Sequence, residues 1–140
     1  MGLVQEEISE KIIGAAIRVH RELGPGLLES AYEACLTYEL SDAGLDVRRQ
    51  VPLPIRYRQV SIDEGYRLDL VVNELVLVEL KSVERVTPIC EAQLLTYLRL
   101  SGYPLALLIN FNVSLLRDGI LRRVLTQSSS PPPRSPRTPR

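Results

Sequence analysis

Residues 66–81 read YRLDLVVNELVLVELK, and this stretch decides the fold. Leucine and valine are nearly continuous on either side of Asn73-Glu74, which predicts two strands, residues 66–72 and 75–81, joined by a tight turn. Strands this apolar are normally covered on both faces, as in the middle of a sheet with helices packed against it. The stretch therefore predicts a layered α/β protein.

Three charged side chains interrupt these apolar strands: Asp69, Glu79 and Lys81. A charge inside a sheet is costly unless it is paired or binds a cation. Because side chains alternate along a strand, Glu79 and Lys81 share one face. The position of Asp69 depends on the hairpin loop. A three-residue loop pairs Val72 with Val76 and sets Asp69 opposite Glu79, whereas a two-residue loop turns the two carboxylates apart.

These charges have two interpretations. Carboxylates on directly opposed residues, with Cβ atoms about 4.5–5.5 Å apart, repel each other unless a divalent cation lies between them. The first interpretation is therefore a metal site at Asp69 and Glu79, with Lys81 beside it. The second is an ordinary ion pair between Glu79 and Lys81 at a strand edge, with Asp69 as a charge close to the turn.

Around this hairpin the sequence alternates between helical and extended patterns. Apolar residues at helical spacing predict helices over residues 5–23, 27–43 and 88–101. Extended patterns predict further strands over residues 45–51, 53–60, 105–111 and 119–125. The order α-α-β-β-β-β-α-β-β predicts a mixed central sheet flanked by helices.

Two pairs of polar residues on the predicted helices can reach the charged strands. Gln93 and Tyr97 stand four residues apart, and Glu29 stands three residues before Tyr32, so each pair shares a helix face. An inward Glu29 carboxylate offers a further metal ligand. Each residue also has an ordinary structural interpretation. Gln93 can be a surface amide, Tyr32 and Tyr97 can be core aromatics, and Glu29 can be a first-turn acid favoured by the helix dipole.

Four motifs in this order give the chain a family resemblance. GLLESAY, residues 26–32, matches the GxxExxY signature, and the chain resembles the GxxExxY proteins of the PD-(D/E)xK nuclease superfamily. Asp69 and Glu79-Leu80-Lys81 match the D…ExK motif, with Leu68 where the literal motif has proline. QLLTY, residues 93–97, matches the QxxxY helix of the RecB-like members. The likeness covers about residues 5–125, nearly everything except the C-terminal tail.

The resemblance implies a restriction-endonuclease-like fold with an αβββαβ core. It implies a hydrolase that cleaves phosphodiester bonds in DNA or RNA with Mg²⁺, for which Mn²⁺ can substitute. The residues implied as catalytic are Asp69, Glu79, Lys81, Gln93 and Tyr97. Those implied as metal ligands are Asp69, Glu79, the Leu80 carbonyl and, directly or through water, Glu29.

Charge and size leave an alternative open. Basic and acidic residues number 17 each, and Arg134, Arg137 and Arg140 lie in the tail, so residues 1–125 are net acidic. Nucleic acid must then be bound through a local patch or a cation. The alternative function is a catalytically silent domain that binds nucleic acid or assembles with proteins. A domain this small is also compatible with a homodimer or a protein partner.

Domain organisation and location follow from composition. We interpret residues 1–125 as one nuclease-like domain and residues 126–140, rich in Pro, Ser and Arg, as a disordered tail. The apolar stretches are shorter than the roughly 20 residues that cross a bilayer, and the N-terminal pattern is not that of a signal peptide. Cys35 and Cys90 form no CxxC pair and are expected as small buried residues in a reducing compartment. We expect a cytoplasmic protein without a membrane segment.

Overall fold

The computed structural model describes residues 4–125, and the predicted disordered tail, residues 126–140, lies outside the described residues. The helices are α1 (Gln5–Leu23), α2 (Glu29–Asp42) and α3 (Pro88–Ser101), with a 3₁₀ turn at Leu116–Gly119. The strands are β1 (Val47–Pro52), β2 (Ile55–Tyr57), β3 (Val60–Ile62), β4 (Arg67–Val72), β5 (Val76–Lys81), β6 (Leu105–Asn110) and β7 (Ile120–Val124). None of the helices in this range is long and apolar enough to cross a bilayer.

The main sheet has the strand order β1-β4-β5-β6-β7. β5 and β6 are parallel and joined through α3, and the other neighbouring strands are antiparallel. The predicted α/β class and mixed sheet are therefore confirmed. The buried hairpin of residues 66–81 supplies β4 and β5, which lie inside the sheet between β1 and β6.

Helices cover both faces of the sheet. Ile12, Tyr32 and Leu36 of α1 and α2 pack against one face, and Leu94 and Leu98 of α3 pack against the other. Residues 76–80 of β5 are consequently all buried. This two-sided burial is the physical reason for the continuous apolar pattern of that strand.

The edge pair β1–β4 changes face at Asp69. Leu70 packs into the core under α1 and α2, whereas Leu68, two residues away, packs into the core under α3. Gln50, on the neighbouring strand, has a left-handed φ of 52°, and the ladder has no pair between Arg49↔Leu70 and Val51↔Leu68. The backbone distortion at Gln50 thus coincides with the point where Asp69 leaves the regular sheet.

Three sequence predictions are wrong. The single strand predicted over residues 53–60 is instead divided between β2 and β3, which form a separate two-stranded sheet. Arg58 adopts a left-handed φ of 58°, which allows the chain to reverse there. The helix predicted over residues 27–43 begins only at Glu29, and Leu28 is exposed and precedes α2 as its N-cap. Cys35 and Cys90, expected to be buried, are only partly buried, and their thiols are free.

Candidate active site

The β4–β5 hairpin has the odd register that the metal-site interpretation requires. Asn73 and Glu74 have left-handed φ angles of 52° and 55°, and the Leu75 N–H donates to the Val72 carbonyl at 3.0 Å. Leu75 remains as an extra residue, so Val72 pairs with Val76. Continued along the strands, this register places Asp69 opposite Glu79. The prediction of an odd-length loop is confirmed.

The two carboxylates bridge a gap between the strands. The regular β4–β5 ladder stops at Leu70↔Val78. Beyond that pair, the Asp69 N–H donates to Glu79 Oε2 at 3.1 Å and the Leu80 N–H donates to Asp69 Oδ2 at 2.8 Å. Each carboxylate thus accepts a main-chain N–H from the opposite strand, and these bonds hold both side chains in place.

Burial and repulsion from nearby carboxylates favour the protonated forms of both acids. Glu79 is only 6% exposed. Desolvation, followed by the charge of Asp69, raises the Glu79 pKa to about 8. Desolvation also raises the pKa of Asp69, with the nearby carboxylates of Glu33 and Glu29 acting in the same direction. A bound cation would stabilise the ionised carboxylates and so lower both pKa values again.

Lys81 lies on the same face of β5 as Glu79 and is half-buried. Its positive charge acts to lower the Glu79 pKa, although less strongly than burial raises it. Among residues 4–125, Lys81 takes part in none of the ion pairs within 4.0 Å. The structure thus places Lys81 near Glu79 without the strand-edge ion pair of the second interpretation.

Helix α2 contributes two carboxylates to a cleft beside Asp69. The cleft has a volume of about 490 Å³, and its polar lining consists of Glu29, Ser30, Glu33, Gln50, Asp69 and Ser82. The exposed Glu29 carboxylate accepts a hydrogen bond from the N–H of Ser82 at 3.3 Å, and Ser82 is the residue directly after Lys81. Glu29 and Asp69 therefore lie on one cleft.

Gln93 and Tyr97 meet on α3, on the side of the sheet that Glu79 faces. Gln93 is exposed and its Nε2 donates to the Tyr97 hydroxyl at 3.2 Å. Tyr97 is buried, and desolvation, followed by the charge of Glu79, raises its pKa. The Tyr97 hydroxyl is therefore in electrostatic reach of the Glu79 carboxylate.

The oxygen atoms at the site form a small donor set for a hard cation. Within the described range, no group of three or more His, Cys, Asp or Glu side chains converges into a metal cluster. Two carboxylates are present, and the Leu80 carbonyl points to the same side of its strand as the N–H that Asp69 accepts. Two carboxylates and a carbonyl suit Mg²⁺, which keeps several waters and needs few protein ligands.

Tyr32 and His20 have structural roles near the site. The Tyr32 ring stacks on Phe111 with 4.3 Å between centroids, and its hydroxyl donates to the Gly24 carbonyl and accepts the Leu27 N–H. Through these hydrogen bonds Tyr32 fixes the turn that leads into Glu29. His20 Nε2 lies 2.8 Å from the carbonyl oxygen of Val113.

The family comparison agrees with this geometry. A family model described as the PD-(D/E)XK nuclease superfamily matches residues 6–124. The chain belongs to the PD-(D/E)XK nuclease superfamily. The match includes β4, β5 and α3, and the mixed sheet with flanking helices is the restriction-endonuclease-like fold. No curated protein and no solved structure is significantly similar to the chain.

Sequence reasoning missed two groups at this candidate site, Glu33 and Gln50. Glu33 is buried, and its carboxylate accepts hydrogen bonds from Arg49 Nε at 2.9 Å and Gln50 Nε2 at 2.8 Å. The signal for Glu33 was its helical spacing, because it stands four residues after Glu29 and three before the buried Leu36. Gln50 gave no such signal, since only its backbone conformation and its partners distinguish it.

Asn110, at the end of β6, was also missed. It is buried; its Oδ1 accepts the N–H groups of Val83 and Asn112, and its Nδ2 donates to the Val83 carbonyl. These bonds fix the chain two residues after Lys81. Asn110 thus supports the chain at the end of the candidate motif from the neighbouring strand.

Proposed function

We propose that the protein is a Mg²⁺-dependent nuclease that hydrolyses phosphodiester bonds in DNA or RNA, with Mn²⁺ able to substitute. The observation that carries the proposal is the opposition of Asp69 and Glu79 across a gap in the sheet, where each accepts a main-chain N–H from the other strand. Membership of the nuclease superfamily supports nucleic acid as the substrate. The GxxExxY assignment, a cytoplasmic location, and a homodimer or protein partner stay predictions.

Asp69, Glu79 and the Leu80 carbonyl would hold the cation, and Glu29 would contribute through a water across the cleft that it shares with Asp69. When bound, Mg²⁺ supplies positive charge to the scissile phosphate and acidifies a water molecule. The N–H groups of Asp69 and Leu80 keep the carboxylates in position before substrate arrives. This preorganisation reduces the cost of assembling the site.

Lys81 would stabilise the negative charge that develops at phosphorus. Its side chain lies on the face of β5 that Glu79 uses, and its ammonium has no competing ion pair in the described part of the chain. The chain has fifteen arginines and two lysines, Lys11 and Lys81. A compact ammonium at this position suits contact with a single oxygen.

Gln93 and Tyr97 would position the substrate. The Tyr97 hydroxyl already accepts a hydrogen bond from Gln93, and its raised pKa keeps it protonated at neutral pH. A neutral hydroxyl next to Glu79 can donate to a phosphate oxygen or to a water molecule. Both side chains thus offer polar contacts on the α3 side of the site.

Calorimetric titration with Mn²⁺ tests the metal site without a choice of substrate. We expect one-site binding to the full chain and its loss in Asp69→Asn, which keeps the side-chain shape but removes the charge. Asp42→Asn, an exposed acid at the end of α2, is the matched control and should bind like the wild type. A folded wild type that binds no Mn²⁺ would favour the catalytically silent domain instead.

A further inference from the structure

The β2–β3 hairpin stands apart from the main sheet. We call residues 55–62 the arm. Its two strands pair through Ile55↔Ile62, Arg56↔Ser61 and Tyr57↔Val60, and they form a sheet of their own. All six residues from 56 to 61 are exposed. Burial of apolar surface in the core therefore does not explain which side chains occur at the tip of the arm.

The exposed tip of the arm carries an aromatic ring. Tyr57 is 58% exposed and its cross-strand neighbour Val60 is 56% exposed, and the two share one face. The Arg58 guanidinium lies over the Tyr57 ring, 5.4 Å from its centroid. A solvent-facing ring with a stacked guanidinium is a surface on which a planar base can stack.

The arm and its base are locally basic although residues 4–125 are net acidic. Arg56, Arg58 and Arg67 are exposed, and within the described range none forms an ion pair within 4.0 Å. Five other arginines, Arg18, Arg48, Arg49, Arg122 and Arg123, are paired with glutamates, and four more in the described residues, Arg21, Arg85, Arg99 and Arg117, are exposed and in none of these pairs. The arm differs from these because its unpaired arginines accompany an exposed ring. The loop after β3 holds two acids, Asp63 and Glu64, and Asp63 accepts the Gly65 N–H. The free positive charge therefore favours an anionic partner over an apolar one.

The arm leads directly into the candidate active site. Arg67 begins β4 and lies two residues before Asp69. Tyr66 is 44% exposed and makes an edge contact with Tyr97, with 6.1 Å between ring centroids. Tyr66 and Arg67, which follow the arm in the chain, therefore lie at the start of the strand that carries Asp69.

We propose that the arm, with Tyr66 and Arg67 at its base, binds single-stranded DNA or RNA and guides it toward Asp69 and Glu79. The inference rests on the proposed function, because it specifies the form of that nuclease's substrate. Exposed rings stack on unpaired bases, whose faces are free, whereas the base faces of a duplex are stacked inside it. The unpaired arginines contact the phosphates alongside.

The test is fluorescence anisotropy of the full chain in EDTA, with labelled single strands of DNA and RNA about 20 nucleotides long and the matching duplexes, since one binding module covers at most about 16 nucleotides. EDTA prevents metal-dependent cleavage, so binding is measured independently of activity. The Tyr57→Ala/Arg58→Ala variant should bind at least one kind of single strand roughly tenfold more weakly than the wild type. The wild type should bind the duplexes more weakly than the single strands. Tyr57→Phe keeps the ring and should retain binding.

Tyr38→Ala/Arg21→Ala is the matched control. It removes an exposed tyrosine and an exposed arginine at the α1–α2 groove, away from the arm, and should bind single strands like the wild type. The C-terminal tail is the same in all variants. Removal of Arg56, Arg58 and Arg67 together should also reduce the slope of log affinity on log salt by about 0.7 for each phosphate that these arginines neutralise.

Three results would overturn the proposal. The first is unchanged single-strand binding in Tyr57→Ala/Arg58→Ala, and the second is equal or tighter binding of duplex by the wild type. The third is a wild-type dimer, seen by light scattering, that the same variant separates without any loss of nucleic-acid affinity. Arm-dependent binding of single strands by a protein that cleaves nothing with Mg²⁺ would refute the nuclease proposal and support this one.

Discussion

The two hairpins of this protein have opposite environments. In β4–β5, residues 76–80 are all buried, and the charges of Asp69 and Glu79 face each other across a gap. In β2–β3, the tip is exposed and carries Tyr57 and Arg58. Burial gives the first hairpin groups with shifted pKa values, which suit chemistry, whereas exposure gives the second a ring and free charges, which suit binding.

The sharpest contrast between the hairpins is in stability. Leu77 of β5 is fully buried, so Leu77→Ala should lower the free energy of unfolding by about 2–5 kcal/mol. Tyr57→Ala on the arm should change it by no more than about 0.5 kcal/mol. Urea denaturation followed by circular dichroism measures both. A large loss in Tyr57→Ala would mean that the arm belongs to the core.

Lys81 should affect catalysis and leave binding intact. Lys81→Met preserves the length and apolar stem of the side chain but removes the ammonium that would stabilise the transition state. We expect at least about a hundredfold loss of Mg²⁺-dependent cleavage, with single-strand affinity unchanged. Lys11→Met, on α1, is the control and should cleave like the wild type. Full activity in Lys81→Met would remove Lys81 from the mechanism.

Replacement of Asn110 should affect stability and cleavage at the β4–β5 hairpin and leave binding by the arm unchanged. Asn110→Ala leaves the N–H and carbonyl of Val83 without their side-chain partners, which should cost about 1–3 kcal/mol of unfolding free energy. Asn112→Ala is a nearby control, because the Asn112 side chain does not make these bonds. Chemical denaturation measures the loss. Cleavage should also fall, since the chain after Lys81 is released, while binding by the arm persists.

The pKa of Glu79 predicts how stability depends on pH in metal-free protein. Between its ordinary value of 4.5 and the folded value of about 8, Glu79 binds more protons in the folded than in the unfolded state. Stability should therefore fall as pH rises through this window, by at most about 1.4 kcal/mol per pH unit from this group. Asp69, whose pKa is also raised, contributes in the same direction at the acidic end.

Glu79→Gln provides the comparison for that pH dependence. The variant should show a flatter profile of denaturation midpoint between about pH 5 and 8, because the titrating group is absent. Glu84→Gln, an exposed acid on the loop before α3, should retain the wild-type slope. Identical slopes in wild type and Glu79→Gln would mean that Glu79 is ionised in the folded protein at neutral pH.

Elements with a strong local pattern were predictable. Helix α1 has the predicted bounds, and α3 begins at Pro88 and is capped by Gly102 in a left-handed conformation. The arm was mispredicted, because Ile55, Tyr57 and Val60 are individually good strand residues. The left-handed Arg58 that separates the two strands leaves no periodic signal.

The candidate site was predictable in part. The motif residues are identifiable by type and spacing, but the opposition of Asp69 and Glu79 depended on whether the hairpin loop was odd or even. The left-handed Asn73 and Glu74, with Leu75 as the extra residue, decide that register. Neither conformation is demanded by residue type, because asparagine tolerates a positive φ but glutamate seldom adopts one.

The sequence by itself determined the α/β class, the two-sided burial of β4 and β5, and the candidate residues Asp69, Glu79 and Lys81. Each of these is indicated by local hydrophobic periodicity or by a short motif. Only the tertiary structure decided the contacts of Glu33 with Gln50 and of Asn110 with Val83, because these partners are 17 and 27 residues apart in the chain. Contacts at that separation depend on how whole elements pack, and local patterns carry no record of it.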